Sequence, residues 1–426
     1  MISDKLKQLW KAKDIRKNIL FVLALLVVFR IAAHVPIPGV NVGDLKEFFQ
    51  GNQVLGFLNL FSGGAMENFS VVMLGVGPYI TASIIFQLLV MIVPKLEALS
   101  KEGDYGQQKI NQYTRLLTIP LATVQTYSFI KLLSNQTQGR LLADITGFQL
   151  LSTIIIVTAG TIFLMWLGEL ISEKHIGNGV SLIIFAGIVA GLPQSIRNTL
   201  VAFDSTMVLS LVIFILIALV TIVTIVFITE GQRNIPISYA RHMVGQKSVG
   251  GVNTHLPLRV NQAGVIPIIF AISVIIIPPM IAQFFLHSDV SWIAASSQWI
   301  IDFFQNRRFY AIFYFLMVVI FTYFYTAVIF HPQQIAENLQ KQGGFIPGIR
   351  PGRHTADYLN TVMNRIILTG ALFLGLIAVL PLVVGPLTGL ATMTIGGTSL
   401  LIVVAVVIET VKQIDAQLVM RDYEGF

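Results

Sequence analysis

The side chains that most often perform catalysis are scattered through this sequence rather than grouped. The seven histidines form no His-Glu-x-x-His zinc pair, and Ser181 lacks the glycine context of a nucleophile elbow. Cysteine is absent, which excludes disulfides and thiolate metal sites, and no Walker-type phosphate loop is present. The sequence therefore predicts a protein that is not an enzyme and that carries no cofactor or metal.

The composition places the chain in a membrane. Hydrophobic residues make up 55% of the sequence and charged residues only 12%, unlike an average soluble domain. A helical span needs about 20 mostly apolar residues, and the weak alternation of membrane β-strands is absent. Ten spans are predicted, near residues 18–35, 69–93, 115–134, 149–170, 180–200, 207–229, 262–286, 309–330, 364–384 and 395–413.

Basic residues set the orientation of these spans. With the N-terminus in the cytoplasm, cytoplasmic segments hold 21 of the 28 lysines and arginines, as the positive-inside rule requires. The alternative, that the first span is a cleaved signal peptide, leaves this pattern without a consistent sense. We therefore predict a multi-pass protein with both termini in the cytoplasm and lipid around its spans. The same bias accounts for the net charge of +7.

Ionisable residues within the spans lie close to the span ends. Arg30, Glu169 and Glu409 are each near a predicted boundary, where long side chains reach the interface. An ion-coupled transporter usually keeps such a residue near the bilayer midplane. The positions of these residues thus disfavour a secondary transporter of a small solute, which is the alternative function. Inside the spans, Gln87 and Gln125 are candidates for hydrogen bonds between helices.

One apolar run is broken. The run from Val54 to Pro94 is interrupted by the residues from Ser62 to Asn68 and then resumes. Non-helical backbone at membrane depth survives only where protein buries it or where it lines an aqueous cavity, because unpaired peptide groups are costly in hydrocarbon. The break therefore predicts a cavity with a folded segment in it.

Two cytoplasmic loops carry more basic residues than the orientation of the spans requires. They cover about residues 230–261 and 331–364, are basic, and are rich in glycine and proline, so we expect shaped protrusions. A basic protrusion suits docking onto RNA phosphates or acidic protein.

The ten spans also divide into two sets of five, in residues 1–202 and 203–426. Because five is odd, the second set is upside down relative to the first, as in an inverted repeat. The predicted fold is an all-α membrane protein of two inverted five-helix halves.

Several ordered strings of residues resemble the SecY family of bacterial protein-conducting channels. The strings are spread over nearly the whole chain and follow the family's order. They are Asn59–Gly64 leading to Gly77–Ile80, Gly177–Ser181 leading to Phe185–Ala190, Thr254–Leu258 with Ala263–Pro267, Pro347–Gly352, and Gly396–Leu401. The resemblance implies a central pore that passes unfolded secretory polypeptides across the membrane.

The resemblance further implies an apolar ring at the waist of the pore and a short re-entrant plug helix, at about residues 54–70, that seals it. Two ring pairs have members four residues apart, which places them on one helix face. The implied ring residues are Ile80, Ile84, Val180, Ile184, Ile269 and Ile402. The implied plug residues are Asn59, Leu60, Phe61, Ser62, Gly63, Gly64, Ala65, Met66, Glu67 and Asn68.

A lateral gate is implied between the second and third spans on one side and the seventh and eighth on the other. Hydrophobic segments leave through it into lipid, and Gln87 and Gln125 lie on its first pair of helices.

Family resemblance also implies partners. These are the SecE and SecG subunits, the SecA motor ATPase, the ribosome, and secretory and membrane proteins with signal sequences. The implied location is the bacterial inner (plasma) membrane. The residues expected to dock partners are Arg241, Lys247, Arg350 and Arg353.

Overall fold

Helices dominate the computed structural model, which describes residues 12–38, 43, 45, 59, 62–136, 146–201, 208–239, 242–244, 247–249, 253–286, 290–388 and 397–424. Within these residues, ten helices overlap the ten predicted spans. They are α1 (Lys13–Ala32), α2 (Gly77–Ile92), α4 (Asp104–Gln136), α5 (Gly147–Ser172), α6 (Gly179–Val201), α7 (Val208–Glu230), α8 (Ile266–Phe285), α10 (Arg307–Ile329), α12 (Arg353–Thr388) and α13 (Gly397–Glu424). Three shorter helices lie in connections: α3 (Pro94–Ser100), α9 (Ser291–Gln305) and α11 (Pro332–Lys341).

Fewer than ten of these helices are long and apolar enough to be identified as membrane spans by length and composition alone. Six of the described helices pass this test, and a seventh does if α2 and α3, bent by 105°, count as one span. The bend lies at Val93, whose backbone is extended. Proline disfavours helical backbone in the residue before it, so Pro94 ends α2 and begins α3.

The two sets of five helices pack in the same order. In the first set, α1 packs on α5 and α6, α2 on α4 and α5, and α5 on α4 and α6. In the second set, α7 packs on α12 and α13, α8 on α10 and α12, and α12 on α10 and α13. Each pairing among the described helices of one set thus has its counterpart in the other. This repetition agrees with the fold predicted from the count of spans.

Glycines permit the closest helix contacts. A methyl group on Gly179 of α6 would lie 1.8 Å from the carbonyl oxygen of Gly168 on α5, and one on Gly160 would lie 1.9 Å from that of Val71. No larger residue fits at either position. Small residues at such crossings let helix backbones approach, which is how membrane helices gain packing contacts without a hydrophobic driving force between them.

The all-α prediction holds for the spans, while the two basic loops add five short strands. The strands are β1 (Gln232–Tyr239), β2 (His242–Val244), β3 (Lys247–Val249), β4 (Asn253–Arg259) and β5 (Gly344–Phe345). They form a three-stranded sheet in the order β4-β1-β5 and a two-stranded hairpin of β2 and β3. Because β5 comes from the second loop, the sheet joins the two loops to each other.

Connections alternate between the two ends of the bundle, because successive spans run in opposite directions. One end, here called the sheet end, carries the strands together with α3 and α11. The other, here called the plug end, carries α9 and the plug segment, defined as residues 59 and 62–76.

Candidate functional site

A small cavity lies between the two halves. Its volume is about 70 Å³, and most of its lining is aliphatic. Three predicted ring residues line it, namely Ile80 on α2, Ile184 on α6 and Ile269 on α8. Ser62 and Met66 of the plug segment line the same cavity. Ring and plug residues therefore meet at one place, although they are up to about 200 positions apart in the sequence.

The other three ring residues lie farther from this cavity. Ile84 and Ile402 are buried in the same apolar cluster but do not line the cavity, and half-buried Val180 packs against that cluster. A methyl group on Gly168 would lie 3.4 Å from Cγ2 of Val180, so this valine lies against α5. The structure thus brings three of the six predicted ring residues to the cavity.

Asn59 is helical, and the plug segment continues as a series of turns from residue 62 to residue 76. Gly63, Gly64 and Gly75 have φ values of +70°, +80° and +57°, which right-handed helices exclude. Phe69, at φ 45°, adopts the same left-handed region without being glycine. Leu60, Phe61 and residues 54–58 lie outside the described residues.

Internal hydrogen bonds hold the plug segment in shape. Asn59 and Glu67 form a two-point contact: Nδ2 of Asn59 donates to Oε2 of Glu67 at 2.8 Å, and the Glu67 N–H donates to Oδ1 of Asn59 at 3.0 Å. The hydroxyl of Ser62 donates to the Asn59 carbonyl and accepts from the Met66 N–H. Side chains thereby satisfy backbone groups that a regular helix would have paired.

The plug segment is also fixed to the surrounding helices. Nη1 of Arg30 on α1 donates to the Gly63 carbonyl at 2.5 Å. A methyl group on Gly63 would lie 2.7 Å from Cα of Gly187 on α6, so only glycine fits this crossing. The sequence predicted only that Arg30 lies near a span end. A basic residue inside a predicted span was the signal that could have marked it.

Two seams join the halves. In the gate seam, α8 packs against α2 and α4, which agrees with three of the four helices expected at a lateral gate. Gln87 lies on α2, but its Nε2 donates to Ser83 of its own helix at 3.3 Å, and its Oε1 is buried without a hydrogen-bond partner. Gln125 on α4 is half-buried. Within the described residues, no hydrogen bond from either glutamine crosses the seam.

In the second seam, here called the hinge seam, α13 packs against α6 and the turn that precedes it. Nε2 of Gln417 on α13 donates to the carbonyl of His175 at 2.8 Å and contacts that of Lys174 at 3.5 Å. Gly177 has a φ of +145°, and a methyl group there would lie 3.1 Å from Oγ1 of Thr410. Polar and tightly fitted contacts therefore hold this seam.

Comparison with known proteins identifies the family. A model of the SecY family matches residues 70–411. The protein translocase subunit SecY of Streptomyces coelicolor is 45% identical over 98% of each chain, and that of Streptomyces galbus is 43% identical over the same shares. The chain belongs to the SecY family. This membership confirms the predicted multi-pass membrane subunit and agrees with the prediction that it is not an enzyme.

Solved structures with the SecY fold are similar at lower sequence identity. A protein-conducting channel superposes with a TM-score of 0.61 at 18% identity, over 92% of this chain and 90% of that one. A SecY protein whose plug domain stabilises the closed channel gives 0.59 at 18% identity, over the same shares. Canine Sec61 in a ribosome–channel complex gives 0.56 at 17% identity, again over the same shares.

Of the residues that the SecY resemblance marks for docking, Arg350 and Arg353 are described in full and lie at the sheet end. Arg350 is exposed in a turn between Gly348 and Gly352, whose φ values are +83° and +92°. The hydroxyl of Thr355 donates to the Arg350 carbonyl at 3.0 Å and fixes the backbone of this turn. Arg353 is exposed at the first residue of α12.

The remaining two docking candidates are described less fully. Arg241 lies outside the described residues. Lys247 begins β3, and its backbone alone is described.

One apolar core supports the turn of Arg350 and the sheet together. It contains Ile235 of β1, Leu258 of β4 and Ile346, packed on Leu359 and Met363 of α12. The two basic loops were predicted as separate protrusions. In this SecY-family chain they form one unit, here called the docking platform, built on the start of α12.

Proposed function

We propose that this chain is the central channel subunit of a Sec translocase and passes unfolded polypeptides across the membrane. One observation carries the proposal: isoleucines from both halves and residues of the plug segment line a single cavity. A pore that must close without a substrate and open around a chain needs two movable parts at one constriction. The cavity is where those parts meet.

The ring would act as a seal without specific binding. Isoleucine is β-branched and stiff at χ1, so a few such side chains can close around a chain of varying sequence. An apolar constriction offers ions no replacement for their hydration shells and can exclude them by dewetting. Of the six ring candidates, Ile80, Ile184 and Ile269 have the best support because they line the cavity.

The plug segment would complete this seal from the plug end. It is held by the Arg30 contact and by backbone pairing with the end of α1, where the Ile37 N–H donates to the Phe69 carbonyl and the Val71 N–H donates to the Val35 carbonyl. These bonds are few, which suits a segment that must leave and return: the two backbone bonds contribute on the order of 1 kcal/mol each and the Arg30 contact about 1.5–3 kcal/mol.

The gate seam would be the lateral exit for hydrophobic segments. Apolar residues of α8, including Ile269, Ile272 and Ile276, line the cavity opposite Ile80 of α2, so the closed seam is largely apolar. A signal sequence that intercalates there exchanges one set of apolar contacts for another. We propose that Gln87 and Gln125 modulate this exchange, and the buried, unpaired Oε1 of Gln87 supports a role for the former.

The docking platform would receive the ribosome and the SecA motor ATPase. The exposed guanidinium groups of Arg350 and Arg353 can form paired hydrogen bonds with phosphate or carboxylate. Arg241 and Lys247 belong to the same proposal. Canine Sec61, a structural neighbour, is known in a complex with a ribosome.

The remaining partners follow from exposed apolar surface. On α7, Thr221 and Ile225 are buried, whereas most of its apolar residues are exposed. This surface suits lipid and the helices of SecE and SecG. We place the protein in the bacterial inner membrane, with halves at residues 1–202 and 203–426, the sheet end and both termini in the cytoplasm, and proteins with signal sequences as substrates.

The alternative is a secondary transporter of a small solute. Such a protein needs ionisable or other ligand-binding groups at its central site. Among the described residues that line the cavity, Ser62 and Ser273 are polar and none is ionisable. We therefore favour the channel.

A photo-crosslinker at Ile184 tests the proposal. A stalled polypeptide with a signal sequence should become attached to it in membranes that contain the export machinery. The matched control is Val189, on the same helix but 36% exposed, where attachment should be absent. If an engaged polypeptide fails to attach at Ile184, or attaches equally at Val189, the ring assignment fails and the transporter gains support.

Docking is tested separately with Arg350→Glu. This charge reversal should lower partner-driven export severalfold and leave the amount of folded protein in the membrane unchanged. Lys95→Glu on α3 is the control, because Lys95 is exposed at the same end but lies outside the platform. Equal export by the two variants would remove Arg350 from the docking site.

A further inference from the structure

The connection between α8 and α10 contains a helix with two apolar faces. On α9, Ser297 and Ile301 are buried, and α9 packs on α8 and α10 through this inner face. Trp292 and Trp299 are seven residues apart, which places them on one side of the helix, and they are 69% and 66% exposed. Ile301 follows Trp299 by two residues, which is a rotation of about 200° around the helix axis, so the tryptophans lie on nearly the opposite side of α9 from Ile301.

A polar edge separates these two faces. Nε2 of Gln298 donates to Oδ1 of Asp302 at 2.8 Å, and both side chains are exposed. A helix with an apolar face, a polar edge and exposed tryptophans is typical of segments that lie in the plane of a membrane surface. Tryptophan is enriched at that depth because its ring is apolar and its N–H is polar.

Aromatic stacking continues the exposed face of α9 onto α10. The ring of Trp299 stacks on Phe303 at 5.6 Å between centroids, and Phe303 stacks on Phe309 of α10 at 5.3 Å. Phe309 is 52% exposed and Ile312, on the next turn, is 60% exposed. The tryptophan face is therefore continuous with the apolar surface of a membrane span, and this continuity indicates that lipid covers both.

Positive charge lies beside this aromatic face. Arg307 and Arg308 begin α10, and Oδ1 of Asn306 accepts from the Arg308 N–H at 3.1 Å. Arg308 is exposed, and Arg307 is half-buried, with its Nε and Nη2 shielded by protein. At the edge of a bilayer, the accessible part of such guanidinium groups can pair with a phospholipid phosphate.

We propose that α9 lies in the phospholipid headgroup region of the leaflet at the plug end, with Trp292 and Trp299 against lipid and with Arg307 and Arg308 against lipid phosphates. Because α9 packs on α8, this anchor would fix the depth of the helix that closes the gate seam. The proposal does not depend on which side of the membrane the plug end faces.

Tryptophan fluorescence tests the placement. In the full chain, Trp10→Phe with Trp166→Phe leaves Trp292 and Trp299 as the remaining tryptophans. The protein is placed in phosphatidylcholine–phosphatidylglycerol vesicles whose acyl chains carry bromine either near the headgroup or deep in the bilayer. Shallow bromine should cause the larger loss of emission, and aqueous acrylamide should cause little. A variant that retains Trp166 alone, 54% exposed on span α5, is the positive control for lipid contact.

The other outcomes overturn the proposal in different ways. Strong quenching by acrylamide without quenching by bromine places α9 in water. Stronger quenching by deep bromine places it within the hydrocarbon, and resistance to all quenchers means that protein covers it. The charge is tested by Arg307→Gln with Arg308→Gln, which should abolish any difference in emission between vesicles with and without phosphatidylglycerol. Persistence of that difference would exclude the arginines as phosphate ligands.

Discussion

The gate seam and the hinge seam join the same two halves with different interactions. At the gate seam, Ile80 of α2 and three isoleucines of α8 line one cavity, and the hydrogen bond of Gln87 stays within its own helix. At the hinge seam, Gln417 bonds to backbone carbonyls of the other half, and Gly177 fits closely against Thr410. Apolar contacts are non-directional, whereas a hydrogen bond and a close steric fit hold two surfaces in one relative position. We therefore expect the halves to part at the gate seam and to turn about the hinge seam.

The largest effect is expected from Gly177→Ala, which breaks the hinge seam. The φ of +145° strains any other residue, and the new methyl group would lie 3.0 Å from Cδ1 of Leu182. Strain of this kind costs about 1–3 kcal/mol, and the close contact adds to it. The apparent melting temperature in detergent should fall. Gly103→Ala is the control, because its φ is +75° but its surroundings are open. An equal fall in the two variants would mean that Gly177 matters through its backbone alone.

Arg30→Leu removes the contact that holds the plug segment beside the gate seam. A hydrogen bond to a charged donor contributes about 1.5–3 kcal/mol, so the plug segment should leave its position more often. Vesicles that contain the variant should leak ions in the absence of substrate, while Arg30→Lys, which retains a charged donor, should leak less. Tight vesicles with Arg30→Leu would show that the plug segment is held by other contacts.

Gln417→Leu weakens the hinge seam without straining the backbone. Loss of the bond to the His175 carbonyl should cost about 1 kcal/mol or less, because that carbonyl is exposed and water can replace the lost donor. A smaller fall in melting temperature than that of Gly177→Ala is expected. Gln413→Leu, one turn earlier on α13, makes the same chemical change away from this bond. If both leucine variants melt alike, the hydrogen bond does not secure the seam.

The smallest effect is expected from Gln87→Leu in the gate seam. The closed seam leaves Oε1 of Gln87 buried and unpaired, so an apolar side chain should favour closure by up to about 1 kcal/mol. Export of a protein with a weak signal sequence should then fall up to about fivefold. Ser83→Ala removes the internal partner of Gln87 and serves as the control. Unchanged export in Gln87→Leu would remove this residue from the gate.

Apolar composition predicted where ten helices of the described chain lie, because burial in lipid demands long apolar segments, although only six or seven of these spans pass a test of length and composition. Glycines in the Ser62–Asn68 break predicted irregular backbone, and positive φ values at Gly63 and Gly64 confirm it. The same glycines exclude right-handed helix from this break, so any plug helix must lie before it, where Asn59 is helical.

Contacts between distant segments could not be predicted in the same way. β1 pairs with β5 across about 100 residues, and neither strand shows in its own sequence which partner it will take. Arg30 and Gln417 donate hydrogen bonds to backbone carbonyl groups, which every residue possesses, so no sequence pattern marks their acceptors. The sequence likewise does not show which face of α9 packs on α8 and α10, so it could not predict which face is left exposed.

The docking platform has a mechanical consequence. Residues 260–265 alone separate β4 from α8, and they are braced: the Val260 N–H donates to the Gly231 carbonyl at 2.8 Å, and Nδ2 of Asn261 donates to the Gly264 carbonyl at 3.1 Å. A methyl group on Gly370 of α12 would lie 2.7 Å from the Val260 carbonyl oxygen, so this linker also rests on α12. The connection is short and stiff. A force applied to the sheet would therefore be transmitted to α8, whose isoleucines line the cavity.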